Sequence, residues 1–106
     1  MKAILCQSHG LPDTLVLQDV TSPKPGPKQV VISVKACGVN FPDTLIIQGK
    51  YQFKPEMPFS PGGELAGVVK EVGEGVSHLK PGDHVIAFTG WGGFAEEVVT
   101  EAFKVI

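Results

Sequence analysis

The side chains that most often bind metals or act as nucleophiles are few in this sequence and scattered along it. Its 106 residues include two cysteines and three histidines, and none has ligand-like spacing. Two glycine-rich stretches, Pro61–Glu64 and Gly73–Val76, lack a G-x-G-x-x-G pattern ahead of a helix, so there is no dinucleotide-binding fingerprint. Each potential ligand is interpreted more simply as a core thiol or a surface histidine: Cys6, His9, Cys37, His78 and His84.

Three polar residues near the middle of the chain are better candidates for chemistry. Asn40 stands just before Pro42, where it is a plausible N-cap, and Asp43 falls in the first turn, where the helix dipole favours an acid. Tyr51, the only tyrosine, follows a Gly-Lys pair on a loop, which is not a typical core position. Each residue also has a purely structural interpretation, as a cap, a helix stabiliser and a packing residue respectively.

Composition limits the class of protein. The chain is 42% hydrophobic and 19% charged with a net charge of −2, which is typical of one globular domain and gives no basic surface for nucleic acid or anionic membranes. No apolar run approaches the roughly 20 residues of a membrane helix, and the N-terminus does not resemble a secretory signal. Two cysteines are too few for a disulfide scaffold and are expected to be reduced thiols in a cytoplasmic protein.

Thirteen glycines and nine prolines separate short apolar segments, a pattern that predicts many turns between short strands. We therefore predict a mainly β, barrel-like domain with six or seven antiparallel or mixed strands. A short helix is predicted between Asn40 and a closing Gly49, and Gly67 is expected to mark a bulge or a close backbone approach. Strands are predicted at the N-terminus, over 14–20, 29–39, 64–73 and 84–88, within 92–100 and from 102 onward.

Three segments together resemble the N-terminal domain of the medium-chain dehydrogenase/reductase superfamily, and within it the zinc-free quinone oxidoreductases. They are "ACGVNFPDTLIIQGKY", "PFSPGGELAGVVKEVGEGVSHLKPGDHVIAF" and "GGFAEEVV", which occur in order with typical gaps. The resemblance implies a GroES-like, partly open β-barrel with one or two short helices. It also implies that residues 1–106 are the catalytic domain of a longer enzyme, whose Rossmann domain is absent from this sequence.

The zinc ligands of related alcohol dehydrogenases have no counterpart here. By resemblance, Asn40 stands where those enzymes have a cysteine, and Gly63 where they have a histidine before the glutamate. Catalytic zinc needs three protein ligands, so the loss of two removes the site. The segment "TGWGGFAEE" also lacks the four cysteines of their structural zinc lobe. We therefore expect no metal.

A metal-free pocket favours substrates whose reduced form is already stabilised. Hydride added to a quinone or a conjugated enone gives a delocalised phenolate or enolate, which hydrogen-bond donors alone can stabilise. The resemblance places Asn40 beside the nicotinamide and the substrate, Asp43 in the same pocket, and the Tyr51 hydroxyl within reach of a quinone oxygen. Gly63 would leave room for a flat ring.

Two further residues, Glu64 and Trp91, are interpreted mainly as structural. Glu64 begins a buried strand and is expected to have a structural partner, such as an arginine outside this sequence, rather than a catalytic role. Trp91 is expected to pack at a domain junction, with an aromatic wall for a ring as the alternative.

The favoured function is the substrate-binding and catalytic domain of an NADPH-dependent, zinc-free quinone oxidoreductase, with NADPH bound mainly by the missing domain and Asn40 and Tyr51 as catalytic residues. The full enzyme is expected to be a homodimer, and this domain alone is expected to be inactive. Two alternatives remain open at this point: an enoyl-thioester reductase of the same superfamily, and a non-enzymatic GroES-like binding module.

Overall fold

The computed structural model describes all residues from Met1 to Ile106. The chain forms six β-strands, one α-helix and two 3-10 helices. The 3-10 helices cover Pro12–Thr14 and Ala102–Lys104. The other elements are β1 (Lys2–Leu5), β2 (Val16–Asp19), β3 (Gln29–Cys37), α1 (Phe41–Ile46), β4 (Glu64–Val72), β5 (His84–Phe88) and β6 (Glu97–Glu101).

The strands form two antiparallel sheets. A four-stranded sheet has the order β5-β4-β3-β6, and β1 pairs with β2 in a separate two-stranded sheet. Isolated β-bridges connect the N-terminal segment to later parts of the chain, and they pair Ala3 with Ala95 and Cys6 with Phe59. This open, mainly β arrangement with a single short α-helix confirms the fold class expected from the sequence.

Most strand positions agree with the sequence prediction, and the differences occur at strand ends. The strand His84–Phe88 has the predicted bounds, whereas β3 ends at Cys37 and not at residue 39. The predicted last strand is wrong in part, because Ala102–Lys104 forms a 3-10 helix. Val105 then returns to bridge Ala87, and Ile106 exchanges two backbone hydrogen bonds with Ile86.

The core lies on one face of the larger sheet. A simple alternation along β3 separates Val31 from Val30 and Ile32, yet all three side chains are 0% exposed. The ladder to β4 shifts register between Val31 and Ile32, and β3 is a central strand with both faces covered at this end. The largest buried cluster is Val30, Ile32, Leu65, Val69, Val85, Ala87, Val98, Ala102 and Val105.

A smaller cluster supports the helix. Cys6, Ile46, Ile47 and Phe59 are buried together, and the half-buried Tyr51 packs against them. This cluster joins α1 to the N-terminal strand and to the loop before β4, so it fixes where the helix lies relative to the sheet. No helix in the structure is long and apolar enough to cross a membrane.

Gly67 in β4 is required by a close backbone approach, as the sequence suggested. A Cβ atom at this position would collide with the backbone carbonyl oxygen of Ser33 in β3. The ladder between the two strands shifts register between Val34 and Ala36, next to the point where Val34 faces Gly67. Neighbouring backbone cannot yield as a flexible side chain can, so the position excludes any other residue without local distortion.

We expect Gly67→Ala to lower the free energy of unfolding by about 2–3 kcal/mol, because the added methyl group must push two central strands apart. Gly26→Ala is the matched control, since its Cβ would meet only side-chain atoms of Gln29, the nearest at 3.1 Å, and no backbone. Urea denaturation of both variants measures the difference. Equal stability of the two variants would contradict this account of Gly67.

Candidate functional site

The helix α1 begins and ends as its sequence predicts. Asn40 is the N-cap residue with an extended backbone, and its N–H donates to Oδ2 of Asp43 at 2.8 Å. At the other end, Gly49 has a φ of +70°, a conformation that glycine adopts without strain. The N–H groups of Gly49 and Lys50 bond to the carbonyls of Ile46 and Leu45, as in a Schellman motif.

Asp43 links the helix to the loop before β4. Its side chain is buried, at 6% exposure, and Oδ1 accepts a hydrogen bond from the N–H of Gly62 at 3.2 Å. Both carboxylate oxygens therefore bind backbone N–H groups, one at Asn40 and one at Gly62. Asp43 has the structural role that its position in the first turn suggested, and it also lines the cleft described below.

The side chain of Asn40 stands in a capping-box arrangement with Asp43 but forms no capping hydrogen bond, and it bonds instead to the start of β4. Its Nδ2 donates to Oε1 of Glu64 at 3.3 Å. Gly38 makes room for the pair, since a Cβ there would lie 2.7 Å from Oε1 of Glu64 and 3.2 Å from Nδ2 of Asn40. Within this chain, the partner of Glu64 is thus the amide of Asn40.

Gly63 is held by backbone contacts with the loop after β5. Its carbonyl oxygen accepts a hydrogen bond from the N–H of Thr89 at 2.8 Å. A Cβ on Gly63 would lie 2.8 Å from the carbonyl oxygen of Gly90. The absent side chain was expected to leave room for a flat ring, but the space next to its Cα is filled by Gly90. Glycine at this position therefore also serves the packing of two loops.

Three aromatic rings follow one another at the edge of the site. Tyr51 meets Phe53 edge-on with ring centroids 5.7 Å apart, and Phe53 lies 6.3 Å from Trp91. Phe53 and Trp91 are 47% and 37% exposed. Trp91 therefore stands beside the other two aromatic rings and remains partly open to solvent.

The four residues expected at the site, Asn40, Asp43, Tyr51 and Gly63, lie around one cleft of about 450 Å³. This grouping brings together the start of α1, the loop after it and the loop before β4. The sequence analysis missed the other lining residues, although the alternation of β5 places Phe88 on its exposed face and could have indicated it. Those residues are Pro42, Phe88 and Gly90.

The Cys37 thiol lies near the cleft, enclosed by glycine backbone. A Cβ on Gly62 or Gly93 would approach its Sγ to 2.8 or 2.6 Å. Burial raises the pKa of the Cys37 thiol above its usual value. A backbone hydrogen bond at Glu64 opposes this in part, and the negative charges of Asp43 and Glu64 add smaller increases. Cys37 therefore favours the neutral thiol at neutral pH.

The electrostatic character of the cleft comes from carboxylates held by neutral groups. Asp43 and Glu64 both bond to Asn40, one at its backbone and one at its side chain. Nowhere in the chain are three or more His, Cys, Asp or Glu side chains grouped so that they could hold a metal ion. Besides the Asp43 carboxylate, whose oxygens both bind backbone N–H groups, the side chains that line the cleft include the amide of Asn40, the phenol of Tyr51 and the exposed ring of Phe88.

This open β-domain and its cleft define a class of protein, and comparison with known families identifies it. Residues 26–106 match the alcohol dehydrogenase GroES-like domain family, and the chain belongs to it. Within the medium-chain dehydrogenase/reductase superfamily, it is of the quinone oxidoreductase type. The sequence is 48% identical over 98 residues to quinone oxidoreductase of Rattus norvegicus, covering 91% of this chain and 30% of the relative.

Solved structures give the same fold. Escherichia coli quinone oxidoreductase complexed with NADPH matches all of this chain and 32% of its own length, at 34% identity and a TM-score of 0.92. A cobalt- and zinc-bound alcohol dehydrogenase from Pyrobaculum aerophilum matches all of this chain and 40% of its own, at 31% identity and a TM-score of 0.90. The fold thus occurs in a protein with metal bound as well, so the fold alone does not decide whether a metal is held. The chain spans about a third of the length of these proteins.

We expect Asp43→Asn to lower the free energy of unfolding by about 1–3 kcal/mol. The amide of asparagine has one oxygen and one NH₂ group, so its NH₂ would face one of the two backbone N–H groups that Asp43 now binds. Asp13→Asn, on the exposed 3-10 helix, is the matched control. Urea denaturation compares the two. A loss within about 0.5 kcal/mol of the control, the range for ordinary surface substitutions, would show that Asp43 does not join the two segments.

Proposed function

We propose that this chain is the substrate-binding and catalytic domain of an NADPH-dependent oxidoreductase that reduces quinones or other conjugated acceptors without a metal. The observation that carries the proposal is that Asn40, Asp43, Tyr51 and Gly63 surround one cleft. The similarity to quinone oxidoreductases supports it. The greater length of those relatives supports the expectation that the rest of the enzyme, with a Rossmann domain, lies outside these residues.

The nicotinamide end of NADPH fits the residues present. The ring has flat faces and a carboxamide, and the cleft offers the exposed ring of Phe88 and the exposed amide of Asn40. The chain has no dinucleotide fingerprint, so the phosphates and most of the ribose contacts would be held elsewhere. When bound, NADPH supplies the hydride.

The residues of this domain would bind and polarise the acceptor. Tyr51 projects from the loop after α1, and its hydroxyl would donate to an acceptor oxygen as negative charge develops there. Phe88 and Pro42 give the cleft apolar surface for a flat ring. Asp43 would act on the substrate only indirectly, because both its oxygens bind backbone N–H groups.

The full-length polypeptide that carries this chain should oxidise NADPH in the presence of 1,4-benzoquinone, as followed by NADPH absorbance. Assay with a crotonyl thioester tests the enoyl-thioester reductase alternative, in which the thioester would be the better substrate. Turnover with neither acceptor would contradict the proposal and favour a non-enzymatic binding module. Residues 1–106 alone should bind NADPH weakly and show no turnover.

Tyr51→Phe should lower kcat/KM for the quinone by about 10- to 100-fold, the order expected for one hydrogen-bond donor to a developing oxyanion. The substitution keeps the ring that packs on the buried cluster and on Phe53. Phe53→Leu is the control, because it alters the same aromatic contact without removing a donor. If Tyr51→Phe retains full kcat/KM, the phenol is not the donor.

Activity should persist after dialysis against a strong chelator. By resemblance, Asn40 and Gly63 stand where related alcohol dehydrogenases have two of their zinc ligands. Elemental analysis of the active protein should give well under one metal ion per chain. Loss of activity on chelation, with recovery on adding zinc, would contradict the metal-free mechanism.

We also propose that the full enzyme is a cytoplasmic homodimer. Both cysteines of this domain are free thiols, as expected in a reducing compartment. Light scattering of the full-length protein measures its mass in solution.

A further inference from the structure

We infer that Glu64 is a positioning residue that turns the Asn40 side chain so that Asn40 presents its carbonyl oxygen to a hydrogen-bond donor on the cofactor. This inference rests on the proposed function. It gives the two residues different roles. Asn40 would accept a hydrogen bond from the nicotinamide riboside half of NADPH, and Tyr51 would donate one to the oxygen of the substrate that is reduced.

The carboxylate of Glu64 decides which end of the Asn40 amide faces Glu64. The two ends of an asparagine amide have nearly the same shape, and their assignment rests on their hydrogen-bond partners. An ionised carboxylate only accepts hydrogen bonds, so the group 3.3 Å from Oε1 of Glu64 must be Nδ2 of Asn40. Oδ1 of Asn40 therefore points away from Glu64. It stands in a capping-box arrangement with the first turn of α1 but accepts no side-chain hydrogen bond there, so it can accept from an outside donor.

The backbone around the pair holds this arrangement. The N–H of Asn40 is bound by Asp43 at 2.8 Å, which fixes the main chain from which the amide projects. Gly38 donates its N–H to the carbonyl of Glu64 at 2.9 Å, and it has no side chain to separate Glu64 from Asn40. The two side chains thus meet over Gly38, although they lie 24 residues apart in the sequence.

Charge also separates the two roles. The carboxylates of Asp43 and Glu64 both bond to Asn40, so negative charge is concentrated at this end of the cleft. An acceptor oxygen that gains negative charge would be repelled there, whereas a neutral N–H or O–H donor would not. Tyr51, whose hydroxyl can donate a hydrogen bond, is the better neighbour for that oxygen.

The first test is structural and needs no cofactor. In the full-length protein, the side-chain NH₂ signals of Asn40, assigned by their loss in Asn40→Ala, should shift in Glu64→Gln. They should not shift in Glu74→Gln, which makes the same charge change at an exposed turn. Unchanged Asn40 signals in Glu64→Gln would overturn the inference, whatever the enzyme's activity.

The second test is a double-mutant cycle on cofactor binding measured by calorimetry. Glu64→Gln should weaken NADPH binding about three- to tenfold, the equivalent of one hydrogen bond, and leave the KM for quinone within about twofold. Because Glu64 acts through Asn40, Glu64→Gln should have no further effect on NADPH binding in an Asn40→Ala background. A full additional loss in that background, or a change confined to the quinone KM, would overturn the inference.

A cofactor analogue distinguishes the two possible donors. In 3-acetylpyridine adenine dinucleotide phosphate a methyl ketone replaces the carboxamide, so its ring substituent has no N–H. If Asn40 accepts from the carboxamide, Glu64→Gln should not weaken binding of this analogue; if it accepts from a ribose hydroxyl, the three- to tenfold loss should remain. Either result supports an acceptor role for Asn40. If the full-length protein reduces no acceptor, the proposed function fails, but the Asn40 signals still test the pair.

Discussion

The two backbone hydrogen bonds accepted by Asp43 hold together the two segments from which the cleft is built. One bond fixes the first turn of α1 at Asn40, and the other fixes the loop before β4 at Gly62. Because the carboxylate is buried, the loss of either bond would leave polar groups without partners in an apolar setting. The positions of Asn40 and Gly63 both depend on this one side chain.

Glycine residues let backbone segments come close enough for this arrangement. Gly67 lies against Ser33, Gly63 against Gly90, and Gly38 leaves space in which Asn40 meets Glu64. None of these three positions has a positive φ, so what the fold requires there is the absence of a side chain rather than an unusual backbone conformation. The polar groups of the cleft are thus placed by close packing of main chain.

Local sequence patterns were sufficient for several features that depend on neighbouring residues, although not for the 3-10 helix at Ala102–Lys104. Alternation and a preceding Pro-Gly turn gave β5 its correct bounds, and the glycine spacing gave the end of α1. Features that depend on distant residues could not be predicted in this way. The burial of Val31 requires a central strand covered on both faces, and the partner of Glu64 lies 24 residues away. Resemblance to a family suggested four residues that the structure brings around one cleft, but it gave no account of what Gly63 packs against.

The packing around Cys37 has a chemical consequence under the proposed function, in which the cleft takes quinones or enones. Such molecules are electrophiles that alkylate thiolates by conjugate addition, so an exposed, ionised cysteine beside the cleft would be consumed by the substrate itself. Only the thiolate attacks, and burial together with the nearby carboxylates raises the pKa of Cys37. Sγ is also screened by Gly62 and Gly93. Under that function, the same packing that shapes the cleft would protect the protein from covalent inactivation by its own substrate.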